Sequence, residues 1–130
     1  MAEREVEVIR SSLEAFNRRD AEAMIAVTHP ESEFFPFRAQ LEGQPYRGHD
    51  GLRRFFEDMY EDWSSFEVHI DEYQELRDRV LGIGRIEGVS RSSGVAVGGE
   101  AGFLFEFKDG LISRVVSYSD PEEARREACA

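Results

Sequence analysis

The chain has 130 residues, of which 41% are hydrophobic and 12% aromatic. This length is typical of a single domain, and this much apolar surface can offset the chain entropy lost on folding. We therefore expect one folded domain over residues 1–130. The 27 acidic and 16 basic side chains give a formal charge of -11. This charge disfavours nucleic acids and anionic membranes as partners, because both are themselves negatively charged.

Cysteine content and the amino-terminal residues bear on where the protein resides. The only cysteine is Cys129, so no internal disulfide can form and a multi-cysteine metal site is excluded. The first ten residues, MAEREVEVIR, carry charges of both signs. No segment approaches the roughly 18 apolar residues of a membrane span. The sequence thus predicts a soluble cytoplasmic protein without a signal peptide.

Helical periodicity dominates the first half of the chain. An apolar stripe predicts a helix over about residues 3–17; it consists of Val6, Ile9, Leu13 and Phe16. Asp20 can cap a short second helix that ends before Pro30. A third helix is predicted over about residues 49–63. Its apolar stripe consists of Leu52, Phe55, Phe56, Met59, Tyr60 and Trp63.

Alternation of apolar and polar residues replaces the helical period in the second half. Strands are predicted at about residues 32–37, 66–71, 79–87, 103–108 and 111–119. The segment SRSSGVAVGG, residues 90–99, predicts a turn region. Asp120, Pro121 and Glu123 occupy the capping positions of a short final helix. Helices followed by consecutive strands indicate an α+β fold with an antiparallel sheet.

Four segments carry a resemblance to a known family. They are EAFNRRDAEAM, SEFFP, YRGHDGLRRFFEDM and FKDGLISRVVSYSDPEEA. In this order they resemble SnoaL-like proteins of the nuclear transport factor 2-like superfamily, over nearly the whole chain. The resemblance implies a cone in which three N-terminal helices pack on a curved, mainly antiparallel sheet, with a short C-terminal helix. It also implies a homodimer formed through the outer face of the sheet, where Leu104 would need to be covered.

Ketosteroid isomerase belongs to the same superfamily and uses an aspartate base that faces a tyrosine and a protonated aspartate. The corresponding positions here are Phe35 for the base, Ser12 for the tyrosine and Phe103 for the second aspartate. A phenyl ring can neither accept a proton from carbon nor donate a hydrogen bond to an enolate. Steroid isomerisation is therefore disfavoured, and whether the protein is an enzyme stays open.

An aromatic pocket is the feature that points to a function. The resemblance places Ser12, Phe16, Phe35, Phe56, Phe103 and Tyr118 along the pocket wall. Small-molecule sites are mostly apolar, with few polar groups. We therefore expect a domain that binds a small hydrophobic molecule, whose identity the sequence does not reveal. An interaction module with its pocket filled by its own phenylalanines is a further alternative.

Three charged residues support the alternative of a hydrolase, isomerase or cyclase that acts on small hydrophobic metabolites. If Phe35 and Tyr118 face the pocket, strand alternation directs Glu33 and Arg114 inward as well, and Arg85 is a second candidate cation. Limonene epoxide hydrolase, a member of the same superfamily, uses an aspartate, arginine, aspartate group on its strands to activate water. A structural ion pair between Glu33 and Arg114 is the competing interpretation.

Metal and cofactor motifs are not found in the sequence. The three histidines, His29, His49 and His69, show no close ligand spacing with one another or with the cysteine. His69 is expected to face water or a dimer partner. The glycine pairs in the strands lack the strand, GxGxxG, helix context of a nucleotide loop. We expect neither a metal site nor a bound cofactor.

Overall fold

The structure, a computed structural model, describes residues 2–37 and 43–129. Its helices are α1 (Ala2–Asn17), α2 (Ala21–Ile25), α3 (Gly48–Asp62) and α4 (Pro121–Cys129). The helices agree with the predicted positions to within one or two residues, apart from the early end of α2. None of the described helices combines the length and the apolar character that crossing a bilayer requires.

Within the described residues, six strands form one sheet. They are β1 (Thr28–Phe35), β2 (Tyr46–Arg47), β3 (Trp63–Glu75), β4 (Arg79–Ser90), β5 (Ala96–Lys108) and β6 (Leu111–Tyr118). The order across the sheet is β2-β1-β6-β5-β4-β3. All neighbouring pairs are antiparallel except β1 and β6, which run parallel. The predicted α+β class with a mainly antiparallel sheet is confirmed.

Two helix starts show the predicted capping. The Asp20 side chain accepts a hydrogen bond from the Ala23 backbone N–H at 3.1 Å, and Asp120 accepts one from the Glu122 N–H at 3.0 Å. These bonds satisfy donors that the first turn of a helix leaves without an intrahelical acceptor. The capping residues Asp20 and Asp120 therefore located these helix starts correctly.

The predicted turn region at residues 90–99 is wrong at both ends. Strand β4 continues to Ser90, and β5 begins at Ala96, with Val97 paired to Gly88 and Gly99 paired to Ile86. Small residues and glycines have weak strand propensity, which is why this segment resembles a turn in the sequence. Pairing along the full length of β4 overrides that local preference.

The sheet separates two apolar clusters. The inner cluster lies between the sheet and helices α1 to α3, and includes Ile9, Phe55, Phe103 and Phe105. The outer cluster lies beneath α4, and includes Leu81, Leu104, Val116, Tyr118 and Ala124. Successive residues of β5 and β6 alternate between the two clusters, as the two-residue period of a strand requires. The orientation of each strand thus decides which side chains can reach the space under α1 and α3.

Candidate functional site

A cavity of about 540 Å³ lies between the inner face of the sheet and the helices. Its wall is mostly aromatic or aliphatic and includes Phe16, Phe34, Phe37, Phe55, Trp63, Phe66, Val68, Phe103, Phe105 and Val115. Helices α1 and α3 supply one side, and residues from all six strands supply the other. The interior is therefore hollow, so the alternative in which phenylalanines fill the pocket does not apply to this structure.

Aromatic rings pack against one another along one side of the wall. The ring centroid of Phe55 lies 4.6 Å from that of Phe34, 5.4 Å from that of Tyr46 and 5.9 Å from that of Phe16. Edge-to-face and offset pairs at such distances add to the free energy of simple burial. Phe55 on α3 therefore packs against aromatic rings of α1, β1 and β2 to form one continuous part of the cavity wall.

Three predicted pocket residues line the cavity: Ser12 on α1, Phe16 on α1 and Phe103 on β5. Phe56 packs against Phe16, with ring centroids 5.8 Å apart, and lines only a small adjoining recess of about 20 Å³. Helical spacing accounts for these placements, because residues on one stripe of α1 or α3 must face the same side.

The prediction that Phe35 and Tyr118 line the cavity is wrong. Both belong to the outer cluster beneath α4, while their strand neighbours Phe34 and Ser117 face the cavity. The aromatic pair in SEFFPF is compatible with either orientation of the strand, and the structure has the one opposite to the prediction. Burial against α4 also raises the pKa of the Tyr118 phenol above its ordinary value.

Glu33 and Arg114 follow the same orientation and also lie on the outer face, so their predicted place inside the pocket is wrong. Arg114 Nη1 donates to Glu106 at 3.1 Å, and its Nε lies 3.9 Å from Glu33. Glu33 pairs more closely with Arg47, at 2.8 Å. The Arg114 guanidinium also lies over the Phe35 ring, 5.1 Å from its centroid. These contacts form a surface network that fits the structural interpretation of the pair.

Arg85 is also on the outer face, not in the cavity. It donates to Asp71 at 3.0 Å and lies 3.6 Å from Glu87, whereas its neighbour Ile86 lines the cavity. The three charged residues predicted as catalytic candidates therefore do not line the cavity. An enzyme that used Glu33 with Arg85 or Arg114 would have to work on the outer surface of the sheet.

The histidines lie apart from the cavity. His29 accepts a hydrogen bond from the Glu31 N–H, and His49 Nε2 lies 2.8 Å from the Thr28 carbonyl oxygen. His69 is on the outer face, 3.0 Å from Glu67. Ligand atoms of Glu67, His69 and Glu87 lie within 4.8 Å of one another. Both carboxylates are exposed, and such surface groups occur commonly without a metal.

A polar pair in the cavity wall was missed by the sequence predictions. The Tyr46 hydroxyl on β2 donates to Asp58 Oδ2 on α3 at 2.5 Å, and both side chains line the cavity. Among the described residues, no basic side chain lies within ion-pair distance of Asp58. Asp58 follows Phe55 by three positions, so it interrupts the inward stripe of α3, and that signal could have identified it.

A family profile and several solved structures match this chain. The profile of the SnoaL-like domain family matches residues 9–115. No curated protein sequence matches the chain. Among solved structures, an NTF2-like protein of unknown function from Burkholderia pseudomallei is 22% identical, with a TM-score of 0.79 and 98% of each chain covered.

Two further structures are similar to the same extent. A protein provisionally assigned as a polyketide cyclase from Xanthomonas campestris is 21% identical, with a TM-score of 0.79 and 93% of each chain covered. TerC, co-crystallised with polyporic acid, is 23% identical, with a TM-score of 0.79, covering 96% of this chain and 97% of its own. At these identities the similarity establishes the fold alone.

Proposed function

This chain belongs to the SnoaL-like domain family, and from that premise we propose that its cavity binds a small, largely hydrophobic organic molecule. The observation that carries the proposal is a cavity of about 540 Å³ with a mainly aromatic wall. Small-molecule sites typically measure about 300–1,000 Å³ and combine apolar walls with a few polar groups. The co-crystallised ligand of TerC supports the same use of the fold.

Trp63 offers a direct test of binding, because it is the only tryptophan and lines the cavity. We expect neutral aromatic compounds, with fluorene and 9-fluorenone as probes, to change Trp63 fluorescence in a saturable way. The same probes should raise the thermal unfolding midpoint, since a ligand that binds only the folded state stabilises it.

A matched pair of variants locates the binding site. Val115 lines the cavity, whereas Val116, the next residue on β6, packs in the outer cluster. Val115→Phe should occupy part of the cavity and weaken probe binding, while Val116→Phe should leave binding unchanged. Equal affinities in both variants would contradict the cavity as the site, and saturable binding to neither variant nor the parent would contradict the proposal itself.

A second candidate function is an enzyme that transfers a proton, and Asp58 is the observation that favours it. Its carboxylate borders an apolar cavity and accepts a hydrogen bond from the Tyr46 hydroxyl on Oδ2. In this candidate Oδ1 accepts a proton from carbon beside a carbonyl, and the electron pair of the C–H bond moves to the enolate oxygen. Tyr46 positions the carboxylate. Enzymes of the isomerase or cyclase type use such a step.

Proton transfer can be followed without knowledge of the natural substrate. In D2O, the protein should accelerate deuterium exchange at the acidic carbon of 2-tetralone, as measured by NMR. Asp58→Asn should remove about a hundredfold or more of that acceleration. Asp50→Asn is the control, because Asp50 is on the same helix but its side chain is 98% exposed. Absence of acceleration by the unmodified protein would contradict this candidate.

Dimerisation and location are further parts of the proposal. We expect a cytoplasmic protein that forms a homodimer through the outer face of the sheet. Burial of Leu104 is not an argument for this dimer, because α4 of the same chain already covers that residue. Part of the outer face beyond α4 instead carries charged residues such as Asp71, Arg85 and Glu87. A monomeric mass by light scattering at micromolar concentration would contradict the dimer.

A further inference from the structure

Two serine side chains line the cavity, one on a helix and one on a strand that contact each other. Ser12 lies on α1 and Ser117 on β6, and both line the cavity although the residues are only 4% and 2% exposed. Among the described residues, neither hydroxyl has a hydrogen-bond partner. Thr28 shows the ordinary alternative, because its hydroxyl donates to the Met24 carbonyl oxygen at 2.7 Å.

Their position shows that these hydroxyls are not sealed inside the protein core. Every fully buried polar side-chain atom of the described residues has a hydrogen-bond partner. The unpartnered oxygens of Ser12 and Ser117 must therefore be accessible from the cavity space. A polar group beside an apolar wall is costly unless something hydrogen-bonds to it. The partner has to come from whatever occupies the cavity.

The chemistry of the two serines defines the group they would bind. A hydroxyl both donates and accepts, so carbonyl and hydroxyl oxygens are suitable partners. Neither serine carries charge, so together they cannot compensate the desolvation of an anionic group. Phe103, which pairs with Ser117 across the sheet, adds apolar surface beside them.

We propose that Ser12 and Ser117 bind a carbonyl or hydroxyl oxygen of an uncharged hydrophobic ligand. The cavity then prefers an oxygenated aromatic compound to the hydrocarbon of the same shape. This inference rests on the proposed function of the cavity as a binding site, and it specifies the class of molecule that the site takes.

The test compares 9-fluorenone with fluorene, which share one ring frame and differ by a carbonyl oxygen. Trp63 fluorescence reports binding of each compound to the full chain. The unmodified protein should bind 9-fluorenone about tenfold more tightly than fluorene, since one net hydrogen bond changes affinity by roughly twofold to twelvefold. Ser12→Ala and Ser117→Ala should each weaken 9-fluorenone binding by several-fold and leave fluorene binding unchanged.

Controls separate recognition from folding. Ser119→Ala changes an exposed serine just after β6 and should alter neither affinity. Without ligand, Ser12→Ala and Ser117→Ala should unfold at the same temperature as the unmodified protein or higher, because each removes a hydroxyl without a protein partner. If both compounds bind and the serine variants reduce both affinities equally, or neither, the serine assignment is overturned while cavity binding stands. If neither compound binds, the proposed function of the cavity is contradicted together with the serine assignment.

Discussion

At Gly84 on β4, the backbone of the neighbouring strand β3 lies too close for any side chain. A Cβ atom at this position would lie 1.8 Å from the His69 carbonyl oxygen. The register of β3 against β4 shifts just beyond this point, between Ile70 and Glu72. A bulge of this kind increases the local bend of a strand. The backbone of β3 therefore approaches Gly84 so closely that no side chain fits.

Gly84→Ala is expected to lower the free energy of unfolding by about 3 kcal/mol, because β3 would have to move away from β4. Gly99→Ala is the matched control: Gly99 also lies in a strand, but a Cβ atom added there would meet no other atom within 4 Å. Its effect should stay within about 0.5 kcal/mol. Urea unfolding of both variants measures the difference, and equal stabilities would contradict the close approach.

Ionisation of the Tyr118 phenol makes the free energy of unfolding depend on pH in the alkaline range. Burial raises the pKa of Tyr118, while a tyrosine in the unfolded chain titrates near 10. The unfolded state therefore loses this proton first and is favoured as the pH rises beyond that point. The contribution of Tyr118 is complete below about pH 10 and declines through its folded pKa.

Tyr118→Phe should reduce this alkaline loss, since it removes the titrating hydroxyl and retains the ring. Urea unfolding at pH 7 and pH 10.5 gives the loss for each protein. Part of the loss should persist in the variant, because burial also raises the pKa of Tyr73. An identical decline in both proteins would show that Tyr118 does not couple to folding.

At the scale of elements, one face of β6 borders the cavity and the other packs in the outer cluster beneath α4. Val115 and Val116 are each 9% exposed, so burial alone does not distinguish them. Val115 borders the cavity, and Val116 contacts the cluster under α4. An added ring should therefore find space on one face and collide with neighbours on the other.

The prediction is that Val116→Phe costs about 1–3 kcal/mol through overpacking, as is usual in a filled core. Val115→Phe should cost less, because the ring extends into the cavity. Denaturant unfolding measures both. A larger loss for Val115→Phe than for Val116→Phe would mean that the cavity is not open in solution.

At the scale of the whole molecule, the inner face of the sheet borders the cavity and the outer face packs against α4. Helix α4 lies close to the outer face because Gly102 on β5 has no side chain. A Cβ there would be 2.5 Å from the Ala124 Cβ. Ala124 is 0% exposed. The outer cluster therefore depends on small residues at the contact between α4 and β5.

Ala124→Leu is expected to push α4 away from the sheet and to expose the outer cluster. The free energy of unfolding should fall by about 1–3 kcal/mol, and binding of a hydrophobic dye should increase. Arg126→Leu introduces the same side chain at an exposed position of the same helix and should change stability by no more than about 0.5 kcal/mol. Equal effects would contradict the close packing of α4.

Local patterns sufficed for much of the fold. The apolar stripe of α3, the caps at Asp20 and Asp120, and the alternation within β3 to β6 each depend on neighbours within a few residues. The sequence located these elements, but β3, β4 and β5 extend beyond the predicted residues. Ser12, Phe16 and Phe103 were placed in the pocket by family resemblance, and they line the cavity. The extent of the single domain, 1–130, stays a prediction.

Periodicity and capping are local properties, so they were enough to establish the α+β class and the helix positions. Which side of β1 and β6 faces the hollow became clear only from the folded chain. A shift of one residue in a strand exchanges every inward and outward side chain, so Phe34 lines the cavity and Phe35 does not. The pairing of Tyr46 with Asp58 likewise depends on β2 and α3 meeting in space, which no spacing along the chain encodes.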